Sequence, residues 1–134
     1  MSLNKALADA QSSIPDCVAG GYVDMSTGLL LVIKTVDSHR NEILELVAAA
    51  TGDLFQGRTV VKIEKLFDES RGITGRKTHY FQEIIISSTN LLHVFIRCER
   101  NPDHVIVFVC RISANIGMML TKVRMARATI ESSI

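Results

Sequence analysis

A surplus of either charge is what this sequence most plainly lacks. Its 134 residues carry 15 Lys and Arg against 14 Asp and Glu, a formal net charge of +1, so no global field draws the protein to nucleic acid or to an anionic membrane. Any partner has to be recognised locally. Aromatic residues are scarce, at 5% of the chain, too few for the stacking platform of a single-strand binder. Cysteine is limited to Cys17, Cys98 and Cys110, an odd set without the close pairs of a metal knuckle or of a secreted disulfide scaffold. That usage favours reduced, buried thiols and a cytoplasmic location. The N-terminus, Met1-Ser2-Leu3-Asn4-Lys5-Ala6, has one early cation but neither a long apolar stretch nor a small-residue cleavage site after it, so it does not read as a secretory signal. The most apolar region, Ile84 to Val109, is interrupted by Ser87, Ser88, Asn90, His93, Arg97 and the polar group Glu99 to His104. It cannot span a bilayer as one helix and reads as several strands. No linker rich in Pro, Gly or Ser divides the chain and no repeat is visible, so residues 1–134 are expected to form a single domain.

What the sequence has is apolar material, 47% of residues against 22% charged, enough for one shielded core. Leu3, Leu7, Ala10 and Ile14 recur at helical spacing, and Pro15 ends that helix. Cys17 to Asp24 and Leu29 to Val36 are apolar, partly β-branched runs around Met25-Ser26-Thr27-Gly28, where Gly28 can take positive φ, and they predict a hairpin. Asp37 or Ser38 would cap a central helix with Ile43, Val47, Ala50 and Leu54 on one face and Arg40, Glu42, Glu45 and Asp53 on the wet side. Gly52 and Gly57 weaken it. Val60, Ile63 and Phe67 resume the spacing, so the helix either bends or restarts after Gly57. Arg71 to Thr78 reads as an exposed loop.

Tyr80 to Ser88, Leu91 to Glu99 and Val105 to Arg111 predict three strands of an antiparallel meander, with Asn101-Pro102-Asp103-His104 as a type I turn. Val105-Ile106-Val107-Phe108-Val109 is apolar on both parities, which requires helices on both faces of the sheet. Ser113 would cap a last helix facing inward with Ile116, Leu120 and Val123, flanked by Met119 and Ala126, and fraying from Ala128. The order is α-β-β-α-β-β-β-α, an α/β (α+β) chain.

Chemistry-bearing motifs are weak. Gly72-Ile73-Thr74-Gly75-Arg76-Lys77-Thr78 lacks the Gly-Lys dipeptide and the following helix of a phosphate loop. His93 and Cys98 have opposite parity on their strand, so with His104 and Cys110 they do not converge on a metal. No neighbouring base nominates any Cys as a nucleophile. Glu83 is the one carboxylate in an apolar strand, beside Gln82. It is either an acid/base group or, as the favoured reading, a gatekeeper of the edge or an ion-pair partner, with Arg97 and Arg111 as candidate cations. Lys122, Arg124 and Arg127 suit the C-terminal dipole of the last helix. No catalytic residue, cofactor or metal is expected.

The element order, with Leu3 to Ser13, Ile14-Pro15-Asp16-Cys17-Val18-Ala19-Gly20-Gly21, Asp24 to Gly28 and Ala114-Asn115-Ile116-Gly117-Met118, resembles the roadblock family of dynein light chains and bacterial small-GTPase regulators. Asp53-Leu54-Phe55-Gln56-Gly57, Tyr80-Phe81-Gln82-Glu83-Ile84-Ile85 and Asn101-Pro102-Asp103-His104-Val105 resemble a bacterial subgroup. The likeness implies a profilin-like, five-stranded antiparallel sheet with the central helix on one face and both terminal helices on the other. It also implies a homodimer formed through the central helix and the third strand. Val47, Leu54, Val60, Ile63, Phe67, Tyr80, Gln82, Ile84 and Ile86 are then the interface candidates. The function implied is a non-enzymatic adaptor or regulator of a small Ras-like GTPase or a related signalling or motility partner. The stretch from Gly57 to Thr78 is longer than a minimal roadblock domain needs. Two other readings stand beside it: a PAS-like or profilin-like sensory domain binding a small ligand between sheet and helix, and an enzyme acting through Cys98 or Cys110.

Overall fold

The computed structural model describes residues 2–35, 41–75 and 79–134. The first helix, α1 (Leu3–Ser13), is capped by Ser2, whose hydroxyl accepts from the Lys5 N–H at 3.2 Å, and it ends where Ile14 turns extended ahead of Pro15. Strands β1 (Cys17–Asp24) and β2 (Leu29–Thr35) make the expected hairpin. Gly28 takes φ 73°, and the Asp24 carboxylate accepts from both the N–H and the hydroxyl of Ser26. The expected cap at Asp37 or Ser38, the side chains of Arg40, Glu42, Ile43 and Glu45, and residues 76–78 of the expected loop lie outside what is described.

The central helical stretch is two helices, α2 (Asn41–Gln56) and α3 (Arg58–Arg71), joined at Gly57. Here the alternatives resolve as a restart, and the stretch after Gly57 is helix as far as Arg71. The Gly57 N–H donates to the Asp53 carbonyl at 3.1 Å, and a Cβ at Gly57 would stand 2.6 Å from that same oxygen. The junction therefore has room for glycine alone.

Strand β3 (Glu83–Ser87) starts later than the expected Tyr80. The Tyr80 N–H is donated to the Glu64 carboxylate at 2.6 Å instead of to a ladder, and the Gln82 amide folds back onto the His79 carbonyl. β4 (Leu91–Arg97) stops short of the expected Glu99, and β5 (His104–Arg111) follows the predicted turn. There the His104 N–H donates to the Asn101 carbonyl at 2.9 Å, and Asn101 Oδ1 accepts from the Asp103 N–H. The last helix, α4 (Ile116–Glu131), departs from expectation at both ends. Its cap is Asn115, whose Oδ1 accepts from the Met118 N–H at 2.9 Å, because Ser113 is used up in a turn closed by the Ala114 N–H on the Arg111 carbonyl. The inward face is Met119, Val123, Ala126 and Ile130, and Ile116 is exposed. Residues beyond Ala128 do not fray: Ile130 is fully buried, and Glu131 accepts from the Arg100 N–H at 2.8 Å.

The sheet is antiparallel throughout, in the order β2-β1-β5-β4-β3, which leaves β3 at an edge. Period-two alternation builds one core on each face. Tyr22, Val94, Ile96, Ile106 and Phe108 pack under α1 and α4, while Val23, Phe95, Val105 and Val107 pack under Ala48 and Phe55 of α2. Both faces being covered explains why β4 and β5 are apolar at consecutive positions.

Gly57→Ala is expected to lower stability by about 2 kcal/mol, the scale of an overpacked core site, read as a lower urea midpoint at unchanged slope. A midpoint equal to wild type would mean that the junction relaxes without cost.

Candidate functional site

One side of the molecule is apolar without being covered. Ala48, Thr51 and Phe55 of α2 face the sheet, while Leu46 (70% exposed), Val47 (42%) and Leu54 (36%) face outward. In α3 only Glu64 is buried, and Val61, Ile63, Leu66 and Phe67 are exposed. Such a helix cannot be held by hydrophobic packing, and polar bonds hold it instead. The Glu64 carboxylate accepts from the Tyr80 N–H, with His79 Nδ1 at 2.9 Å from its other oxygen. Asp68 accepts from the Tyr80 hydroxyl at 3.0 Å, and the Tyr80 ring meets Phe67 edge-on. α3 is thus fastened to the residues that lead into β3, whose Ile85 is exposed and whose outer edge carries no strand among the described residues.

The sequence-derived interface candidates fall on this side in three groups. Val47 and Leu54 lie on the outer face of α2, Ile63 and Phe67 are exposed on α3, and Val60 is half-buried there. Tyr80 and Gln82 lie in the irregular run before β3, not in it. Ile84 and Ile86 are half-buried against the α2-side core, so they contribute to the fold as well as to the edge. Leu46, Val61 and Leu66, exposed on the same side, were not among the sequence-derived candidates, whereas Ile85 lies within the Ile84 to Ile86 rim that the sequence singles out. The available signal was Leu46-Val47-Ala48-Ala49-Ala50, a run apolar around the whole helix circumference, as a helix covered on two sides would be.

No family model matches the sequence, and no curated protein matches it. Solved structures do. A roadblock/LC7 domain from Streptomyces avermitilis superposes with a TM-score of 0.69 at 9% identity, over 98% of this chain and 97% of that one. MglB from Myxococcus xanthus gives 0.69 at 13% identity, over 98% and 96%. An MglB described as having a tetrameric arrangement gives 0.71 at 13% identity, over 98% and 90%. The chain has the roadblock fold.

Within this roadblock fold the end of α2 is set by a residue whose local sequence does not reveal that role. Arg97, 1% exposed, donates from Nε to the Phe81 carbonyl at 2.9 Å, from Nη1 to Gln56 Oε1 at 2.9 Å and the Pro102 carbonyl at 2.8 Å, and from Nη2 to the Phe55 carbonyl at 3.1 Å. Its guanidinium lies 5.1 Å from the Phe55 ring centroid. Burial lowers its pKa, and the charges of Glu64 and Asp103 oppose that. Arg97 is therefore not available to Glu83. The partner of Glu83 is neither Arg97 nor Arg111 but Arg124, whose Nε and Nη2 each donate to a carboxylate oxygen at 2.7 Å. Those hydrogen bonds hold Glu83 below the usual carboxylate range. Arg127 bonds Glu99 and the Arg97 carbonyl, so with α4 running to Glu131 these cations pin loops and strands and do not cap the helix.

Among the described residues no group of three His, Cys, Asp or Glu is arranged to hold a metal. Burial pushes the Cys98 thiol up to about 12, which leaves little thiolate there near neutral pH. Cys17, against the expectation of three buried thiols, is partly exposed. Cavities formed by described residues include a groove of about 290 Å³ between α1 and α4 and an open depression of about 440 Å³ over Tyr80 to Ile84.

Two measurements check this network. Arg97→Met leaves three backbone carbonyls and the Gln56 amide oxygen without this donor and is expected to cost about 3 kcal/mol in urea unfolding, the range for breaking a buried charged network; a loss within error of zero would remove Arg97 from that role. Glu83 is lowered in the folded state, so its contribution to stability is complete above the unfolded value of about 4.3 and is lost as pH falls through the folded value. Glu83→Gln should flatten that acid arm of the stability curve, and an arm of unchanged steepness would contradict the assignment.

Proposed function

We propose that this protein is a non-enzymatic, homodimeric adaptor or regulator, one roadblock-like domain acting on a small Ras-like GTPase or a related signalling or motility partner. The observation that carries this reading is the continuous apolar side made by α2, α3 and the free edge of β3. An edge strand with Ile84-Ile85-Ile86 and no cation of its own is a template for another strand, and a second copy related by a twofold axis satisfies its free backbone groups while joining two sheets into one. Val47, Leu54, Ile63 and Phe67 then lie between the subunits, with Tyr80, Gln82, Ile84 and Ile86 along the strand junction and Val60 beside them. The roadblock fold and the tetrameric arrangement described for one MglB support assembly. The non-enzymatic part is supported by the catalytic candidates the sequence offers being committed elsewhere, Glu83 to an ion pair and Cys98 and Cys110 to the core. Among the described residues no helix is long and apolar enough to cross a membrane, which suits a partner met in the cytoplasm.

Light scattering on the purified chain should give twice the monomer mass, and Val47→Glu combined with Phe67→Glu should return it to monomer with the sheet intact by circular dichroism. A wild-type monomer at high concentration would end the homodimer reading. GTP hydrolysis by a GTPase recovered on the immobilised protein should change when the wild-type chain is added; recovery of none, or an unaltered rate, would end the regulatory part.

A further inference from the structure

At the end of the sheet away from Arg97, strands β1 and β5 place two cysteines side by side. The ladder pairs Cys17 directly with Cys110, then slips by one residue before Ala19 pairs with Val109, so Val18 sits in a bulge. Both side chains lie on the α1/α4 face, Cys110 inside that core and Cys17 packed against it. Directly opposed residues of an antiparallel pair have Cα atoms about 4.5–5.5 Å apart, within the about 4.4–6.8 Å that a disulfide spans. Register and face therefore place the pair where a bridge between the two strands can form.

The two thiols also differ in the way a stepwise oxidation needs. Cys17 is partly exposed, while Cys110 has no exposure at all. The Cys17 sulfur donates to the Ala19 carbonyl at 3.2 Å, with Cys110 directly opposite it across the ladder. Interaction with the neighbouring Cys110 thiol lowers Cys17, while interaction with Cys17 and burial raise Cys110, so the sulfur that solvent reaches is the one with the larger share of thiolate. Cys98 shares this face but lies beyond the opposite end of β4, against the Tyr22 hydroxyl at 3.7 Å.

We propose that Cys17 and Cys110 form a redox modification site at which a hydroperoxide closes an intramolecular disulfide between the two central strands. The Cys17 thiolate attacks one peroxide oxygen, the O–O bond breaks, and the leaving hydroxide or alkoxide takes up a proton, giving Cys17 sulfenic acid. The Cys110 sulfur then attacks the Cys17 sulfur and the S–O bond breaks. The departing oxygen carries off the Cys110 proton as water, and two thiols have lost two electrons to the peroxide. The bridge fastens strands far apart in the chain, so it restricts the unfolded state and raises stability.

Hydrogen peroxide is added to the folded wild-type chain, and after quenching the thiols are alkylated in denaturant and mapped by mass spectrometry. The expected result is alkylation at Cys98 alone, a peptide linking Cys17 to Cys110, full recovery of labelling after reduction, and a raised urea midpoint for the oxidised form. Cys110→Ala should stop at a sulfenic acid on Cys17 that dimedone traps. Alkylation of all three cysteines after peroxide, a bridge that includes Cys98, or bridges only between chains would overturn the proposal. The wild-type map decides the matter even if the variant fails to fold.

Discussion

A guanidinium shut away from water organises one end of this molecule. Taking a cation out of water costs several kcal/mol, and among the described residues no carboxylate is hydrogen-bonded to Arg97 to offset that cost. Backbone dipoles offset it instead. Phe55 and Gln56 are the last residues of α2, where unsatisfied carbonyls gather the negative end of the helix dipole, and Arg97 takes one of those carbonyls together with the Gln56 side chain. Its other bonds reach the β4–β5 turn at Pro102 and the chain ahead of β3 at Phe81. The arginine thus fixes where α2 stops over the sheet, and from there follow the glycine junction and the position of α3.

The two faces of the sheet are finished differently. Over one, α1 and α4 close a core and the rim is sealed by ion pairs from Arg124 and Arg127. Over the other, α2 closes a smaller core, and α3 adds a helix whose apolar residues take no part in it. Apolar surface removed from water gains about 25 cal/mol per Å², a gain that α3 forgoes as long as the chain is alone. Glu64 and Asp68 supply directional bonds where packing is missing, so the helix is positioned while its greasy side stays presented. This is the physical sense in which the surface resembles half of an interface.

Most of the architecture was legible because burial on both sides of a sheet writes itself into consecutive apolar positions, and because turns carry specific residues. Asn101-Pro102 and Gly28 marked their turns correctly for that reason. The misreadings share another cause, competition for a backbone donor by a distant side chain. Tyr80 has strand composition, yet Glu64, sixteen positions earlier, takes its N–H. Ser113 is a good cap in isolation, but the turn at Arg111 consumes it. On α4 the expected Met119, Val123 and Ala126 do face inward with Leu120 packed beside them, and Ile116 alone, in the first turn, faces out. Arg97 looked like a strand cation seeking Glu83, since nothing local reveals that a helix terminus and a turn converge on it. The apolar side was only partly legible: Phe67 and Ile63 followed the spacing, whereas Leu46 was hidden in a run with no polar side to contrast against.

The strand order has a consequence for synthesis. β1 lies between β2 and β5, so the first hairpin leaves one long side of β1 bare until Arg111 has been made, and α1 lacks its neighbour until α4 emerges. Pairing across so many intervening residues is slow because the loop must close before any bond rewards it. The nascent chain therefore leaves the ribosome with half its centre waiting, and α4, translated well after α1, completes what that helix began.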